Sequence, residues 1–131
     1  GDTAWDPASR TLVSWNMNNG ADLYRITDEI LFMNTFAVRE TSARENHLIG
    51  VAFAQEAKTV VHGSANGQVY VWSTQTREKL QVLSHGHGSR LVQAITTVSP
   101  NEHFHLIASG TSTPDDNKPT VKIWSTQPQV R

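Results

Sequence analysis

The chain contains no cysteine, which excludes a disulfide framework, a thiolate metal site and a thiol nucleophile. It has no Asn-x-Ser/Thr acceptor either, and both absences point to an intracellular protein, cytoplasmic or nuclear. Long apolar runs are missing too. The longest, such as Ile30-Leu31-Phe32-Met33 and Val51-Ala52-Phe53-Ala54, reach four residues, far below the roughly 20 of a membrane-spanning helix and too short for the apolar region of a signal peptide. Nor is there an excess of either charge. Eleven Lys and Arg stand against twelve Asp and Glu for a net charge of −1, so no nucleic acid and no anionic membrane is favoured as a partner. No charge run, Pro-rich linker or low-complexity tract divides the 131 residues, and the five prolines fall at turn-like or terminal places such as Ser99-Pro100 and Lys118-Pro119. That length suits one domain.

What the chain does have is self-similarity. TVVHGSANGQVYVWS (59–73) reads as an apolar strand closed by Gly63, a tight Asn66-Gly67 turn and an alternating strand ending in Trp72, the pattern of a β-hairpin. LIASGTSTPDDNKPTVKIWS (106–125) follows the same plan, with Ala108-Ser109-Gly110 closing one strand and Val121 to Ser125 forming the next. Gly63 and Gly110 lie 47 residues apart and Trp72 and Trp124 lie 52 apart, so the second hairpin carries five extra residues in its loop. A fainter copy lies upstream, where 3–15 parallels 50–63, Asn19-Gly20 takes the place of Asn66-Gly67, and Ile26 falls near the position of Trp72. Leu80 to Leu83 reads as a short fourth strand, and 28–39 as either an outer strand or a helical turn, with strand preferred. Three copies of about 44 residues match the period of four-stranded propeller blades. The expected fold is therefore all-β: about three blades of four-stranded antiparallel sheet, with repeats at roughly 1–47, 48–90 and 91–131.

SHGHG at 84–88, VSPNEHFHLIASG at 98–110 and VKIWS at 121–125 together resemble a WD-repeat β-propeller, over about 47–126 well and over 3–26 weakly. The resemblance implies a hydrogen-bonded network in which His87, Ser109 and Trp124 tie the strands of the last blade. In the middle blade it implies Trp72 with an altered network, because His62 occupies the usual place of a Ser or Thr. Both Trp residues are followed by Ser where the family has Asp. Propellers close with roughly four to eight blades, so three blades cannot make a ring alone. The resemblance thus implies further blades, from the same longer chain or from other subunits. It also sets the inserted loop 112–119 beside the 84–91 turn, which makes Arg90, Asp115, Asp116 and Lys118 a candidate partner-binding loop.

Catalytic and ligand-binding chemistry is thin by comparison. His85 and His87, like His103 and His105, are spaced to share a strand face and chelate a metal, but Gly86 and Gly88 make 84–89 a turn and no carboxylate adjoins either pair. A structural role for these histidines is the preferred reading, and no metal or other cofactor is expected. No Gly-x-Ser-x-Gly elbow or P-loop is present, so no enzyme is expected. Asp115-Asp116 reads as a solvated loop tip ahead of a Ca²⁺ ligand pair, and the four Trp as packing residues ahead of a sugar platform. The expected role is a non-catalytic protein–protein interaction scaffold, with a small-molecule or glycan-binding propeller as the alternative.

Overall fold

The structure is a computed structural model that describes residues 2–38, 47–85, 91–112 and 119–126. Among these residues there is no helix, and eleven strands form three antiparallel sheets, each a simple meander. The first contains β1 (Thr3–Asp6), β2 (Thr11–Trp15), β3 (Gly20–Ile26) and β4 (Ile30–Ala37), so the described residues of 28–39 supply an outer strand and no helical turn. The second contains β5 (Val51–Ala54), β6 (Thr59–His62), β7 (Gln68–Ser73) and β8 (Lys79–Ser84). The third contains β9 (Leu91–Asn101), β10 (Phe104–Ser112) and β11 (Val121–Ser125), in the order β11-β10-β9, so that among the described residues β11 is an outer edge strand. Pro100 lies inside β9, not in a turn. An exposed strand end tolerates it there, because the missing N–H faces no partner.

The first two sheets are copies of one another in register. Thr3, Thr11 and Tyr24 hold the pairings that Val51, Thr59 and Trp72 hold, an offset of 48 residues in all three strands. Both sheets also carry a β-bulge at the same place, between Leu23 and Tyr24 in one and between Val71 and Trp72 in the other. This corrects the expectation for the first repeat. Tyr24, not Ile26, stands where the Trp of the other sheets stands, and Gly20 matches Gln68, not Gly67. The two glycines answer different needs. Gly67 takes φ 82° in its turn, a conformation that costs an L-residue with a Cβ, whereas a Cβ on Gly20 would sit 1.9 Å from the Phe36 carbonyl oxygen on β4.

The sheets stack with β5 against both β1 and β9, so the first strands of successive sheets adjoin. This is a blade-like arrangement, not a closed barrel. Period-2 alternation gives each sheet two faces. Val13, Ala21, Leu23 and Phe36 on one face of the first sheet pack against Val51, Val60, Tyr70 and Trp72 of the second. The opposite face of the second sheet, with Ala54, Val61, Val69 and Val71, packs against Val92, Ile95 and Ile107 of the third. Burial of these side chains, with roughly 1.5–3 kcal/mol from each of the larger aliphatic and aromatic ones, holds the stack together. No helix among the described residues is long and apolar enough to cross a membrane.

Candidate functional site: the sheet junctions and the exposed end faces

Each junction is pinned by a Trp on the third strand and a polar residue paired diagonally on the second. In the third sheet, Ile107 pairs with Trp124 and Ser109 with Lys122. The Trp124 indole N–H donates to Ser109 Oγ at 3.0 Å, and Ser109 Oγ lies 2.5 Å from Nε2 of His85, which comes from the end of the second sheet. Ser109 and His85 are both buried. The histidine on Ser109 is therefore His85, whereas the resemblance had pointed to His87, which lies outside the described residues. Its placement follows from backbone pairing, because His85 N–H donates to the Gly67 carbonyl at 2.9 Å and this draws the side chain into the junction. The sequence holds two histidines in the same Gly-rich turn, and spacing alone does not separate them.

In the second sheet one residue does both jobs. His62, fully buried, accepts the Trp72 indole N–H on Nε2 at 2.9 Å and donates from Nδ1 to the Gly63 carbonyl at 2.6 Å. An indole N–H only donates and a carbonyl only accepts, so the imidazole is the neutral Nδ1–H form. Burial lowers its pKa to about 4 against the opposing pull of the Gly63 carbonyl. The counterpart of His85 at this junction is Val38, whose N–H donates to the Asn19 carbonyl as His85 does to Gly67. A valine side chain accepts no hydrogen bond, and His62 supplies the acceptor from its own strand. Trp15 packs on His62 with ring centroids 5.3 Å apart, and Phe36 on Trp72 at 5.4 Å. Trp72 is buried in this junction, and Trp15 belongs to the same junction.

Backbone contacts add to these side-chain links. Gly50 N–H donates to the Gln93 carbonyl at 2.7 Å and Val92 N–H to the Ser64 carbonyl at 2.8 Å, while Thr97 Oγ1 donates to the Phe53 carbonyl at 2.5 Å. The second and third sheets are joined by hydrogen bonds as well as by apolar packing.

The two end faces of the stack are uncovered among the described residues. On the first sheet, Trp5, Leu12, Tyr24 and Phe32 form one cross-strand row, the counterpart of Phe53, Val60, Trp72 and Lys79 in the interior. Phe32 is 59% exposed, with the Tyr24 ring 5.8 Å away in an edge-on contact. At the other end, Thr96 pairs with Ala108 and Ala108 with Ile123, and Ala94 with Gly110 and Gly110 with Val121. Ile123 and Val121 are 70% and 73% exposed. None of these six residues is charged.

A cleft of about 420 Å³ opens between the second and third sheets, with Val71, Leu83, Ile107 and Trp124 in its walls and Gln81 and His105 beside them. His105 holds Ser99 Oγ at 2.8 Å through Nδ1 and the Glu102 carbonyl at 3.1 Å through Nε2. Among the described residues no group of three or more His, Asp or Glu side chains converges. The candidate loop residues Arg90, Asp115, Asp116 and Lys118 lie outside the described residues. No protein-family model matches the chain.

Proposed function

We propose that the chain is a non-catalytic protein–protein interaction scaffold built from WD-repeat-like propeller blades, working in the cytoplasm or nucleus. The observation that carries this reading is the contrast between the junctions and the ends. Interior junctions are apolar-packed and hydrogen-bonded, while both end faces present apolar rows to solvent, and contiguous exposed apolar surface marks association sites. Among the described residues β11 is an edge strand, and an edge strand suits pairing with a strand of a partner. Blades held this firmly also keep their connecting loops in place, and loops on a rigid base carry recognition. Arg90, Asp115, Asp116 and Lys118 then serve as charged contacts that orient a protein partner.

Affinity capture from cell extract, with the wild-type chain and a variant in which 113–118 is replaced by Asn-Gly, tests this role. Loss of a captured protein with the shortened but folded variant supports it, and capture of nothing by the wild type opposes it. The cleft beside Trp124 favours a second reading, a small-molecule or glycan site, because its volume falls within the usual range of ligand pockets. Binding on a glycan array that Trp124→Ala abolishes, without any protein capture, would select that alternative.

A further inference from the structure

We propose that the cleft between the second and third sheets is the anchor pocket of the scaffold and takes one large uncharged side chain, aliphatic or aromatic, from a peptide segment of the protein partner. The inference rests on the scaffold reading above and names the partner's chemistry at one site. The walls set the first requirement. Ala54, Val71 and Leu83 come from the second sheet and Ile107 and Trp124 from the third, and Leu83 and Ile107 are only partly buried there. Among the described lining residues there is no Asp, Glu, Lys or Arg, so a charged group entering the cleft loses water and finds no counter-charge. An apolar side chain gains from the same burial.

The polar lining separates a peptide from a sugar. Thr59 Oγ1 already donates to the Ala54 carbonyl at 3.2 Å, and Thr126 Oγ1 accepts the His105 N–H at 2.9 Å and donates to the His103 carbonyl at 3.3 Å. His105 engages both ring nitrogens, on Ser99 Oγ and the Glu102 carbonyl. Gln55, Gln81 and Ser125 are left to meet a ligand. Two carboxamides, each a donor and an acceptor, match the N–H and C=O of a peptide backbone, whereas a buried sugar ring carries more hydroxyls than these side chains satisfy, each at a cost. The volume of about 420 Å³ lies near the low end of ligand pockets, roughly 300–1,000 Å³, and suits a single side chain with its adjoining amides.

Backbone conformation sets Gln55 at this rim. Gln55, Glu56 and Ala57 take φ of 52°, 56° and 61°, a left-handed run that is costly for residues with a Cβ, while the matching turn of the first sheet holds only Arg10 in that region. Lys58 N–H donates to the Gln55 carbonyl at 3.0 Å and Thr74 Oγ1 to the Ala57 carbonyl at 2.8 Å, so the chain beyond β7 holds the turn. Strain held in this way gathers at ligand clamps.

Tripeptides blocked at both ends, acetyl-Gly-X-Gly-amide with X as Leu, Phe, Lys or Asp, can be titrated into the full chain while the Trp124 indole N–H is followed by NMR, its signal assigned by its absence in Trp124→Phe. The Leu and Phe peptides should shift it saturably, and the Lys and Asp peptides should not. Gln55→Ala and Gln81→Ala each remove one amide partner and should each weaken binding about five- to tenfold, with an unchanged β-type circular dichroism spectrum. Gln81 is exposed, so Gln81→Glu, which puts a charge on the rim and should also weaken binding, replaces either variant that loses that spectrum. Equal shifts with all four peptides, no shift with any, or shifts with methyl glucoside in place of the peptides would overturn the proposal. Protein capture from cell extract that these substitutions leave intact would overturn it while the scaffold reading stands, and peptide binding of the expected pattern with no protein captured would sink that reading alone.

Discussion

Trp72 and His62 meet across 2.9 Å in the junction between the first two sheets, and their bond replaces the Trp124–Ser109–His85 chain of the next junction with a single imidazole. The two arrangements solve one problem. A Trp that fills a sheet junction must find an acceptor for its indole N–H, since an orphaned buried donor costs roughly 1–3 kcal/mol. Trp72→Phe keeps most of the ring volume but leaves Nε2 of His62 without its donor. Urea unfolding should show a loss of about 1–3 kcal/mol, and an unchanged midpoint would mean that the bond contributes nothing.

The neutral state of His62 gives stability a defined pH dependence. Its pKa is about 4 in the folded chain, against about 6.5 when unfolded. Between those values the unfolded chain binds the extra proton, so the stability present above pH 6.5 is lost as pH falls toward 4, by about 3 kcal/mol. His62→Ser, which installs the hydroxyl found at Ser109, should flatten that part of the unfolding profile. Equal acid sensitivity in wild type and variant would place the effect on other groups.

Gly63 and Gly110 hold equivalent positions, yet they should respond oppositely to a methyl group. A Cβ on Gly63 would lie 2.0 Å from the Val92 carbonyl oxygen, whereas one on Gly110 would meet Ala94 Cβ at 3.4 Å. Gly63→Ala forces the second and third sheets apart and should cost about 1–3 kcal/mol, the usual penalty of overpacking. Gly110→Ala should leave the thermal midpoint nearly unchanged. Equal tolerance at both sites would contradict the close approach at Val92.

Truncating the two Trp residues should also differ in cost. Trp72 is buried between two sheets, while Trp124 is half-buried because β11 is an edge strand. Trp72→Ala should cost about 3–5 kcal/mol, and Trp124→Ala less. Chemical denaturation that ranks them the other way would mean that the third sheet is better covered than its edge position implies.

Much of the fold is legible in the residues themselves. Alternation in Val69 to Trp72, the Asn66-Gly67 turn and the spacing of Gly63 and Gly110 lead to the hairpins, and Leu80 to Leu83 lies within β8. Register in the first sheet is harder to read. Asn19-Gly20 imitates Asn66-Gly67 in sequence, but Gly20 is required by close approach to β4 and not by the turn, so matching the two pairs shifts Tyr24 off its place. The same limit applies to the site residues. Ser109 and Trp124 follow from strand alternation, which sets them on one face, but the choice between His85 and His87 depends on a backbone bond to Gly67 that the sequence does not display.

Hydroxyl-radical footprinting of the chain tests most directly the contrast between junctions and end faces on which the scaffold reading rests. Trp5 and Phe32 on the first sheet and Val121 and Ile123 on the third should label readily, while Phe36 and Trp72 in the junction stay protected. Equal labelling of the two sets, or protection of the four end-face residues in the isolated chain, would contradict that contrast.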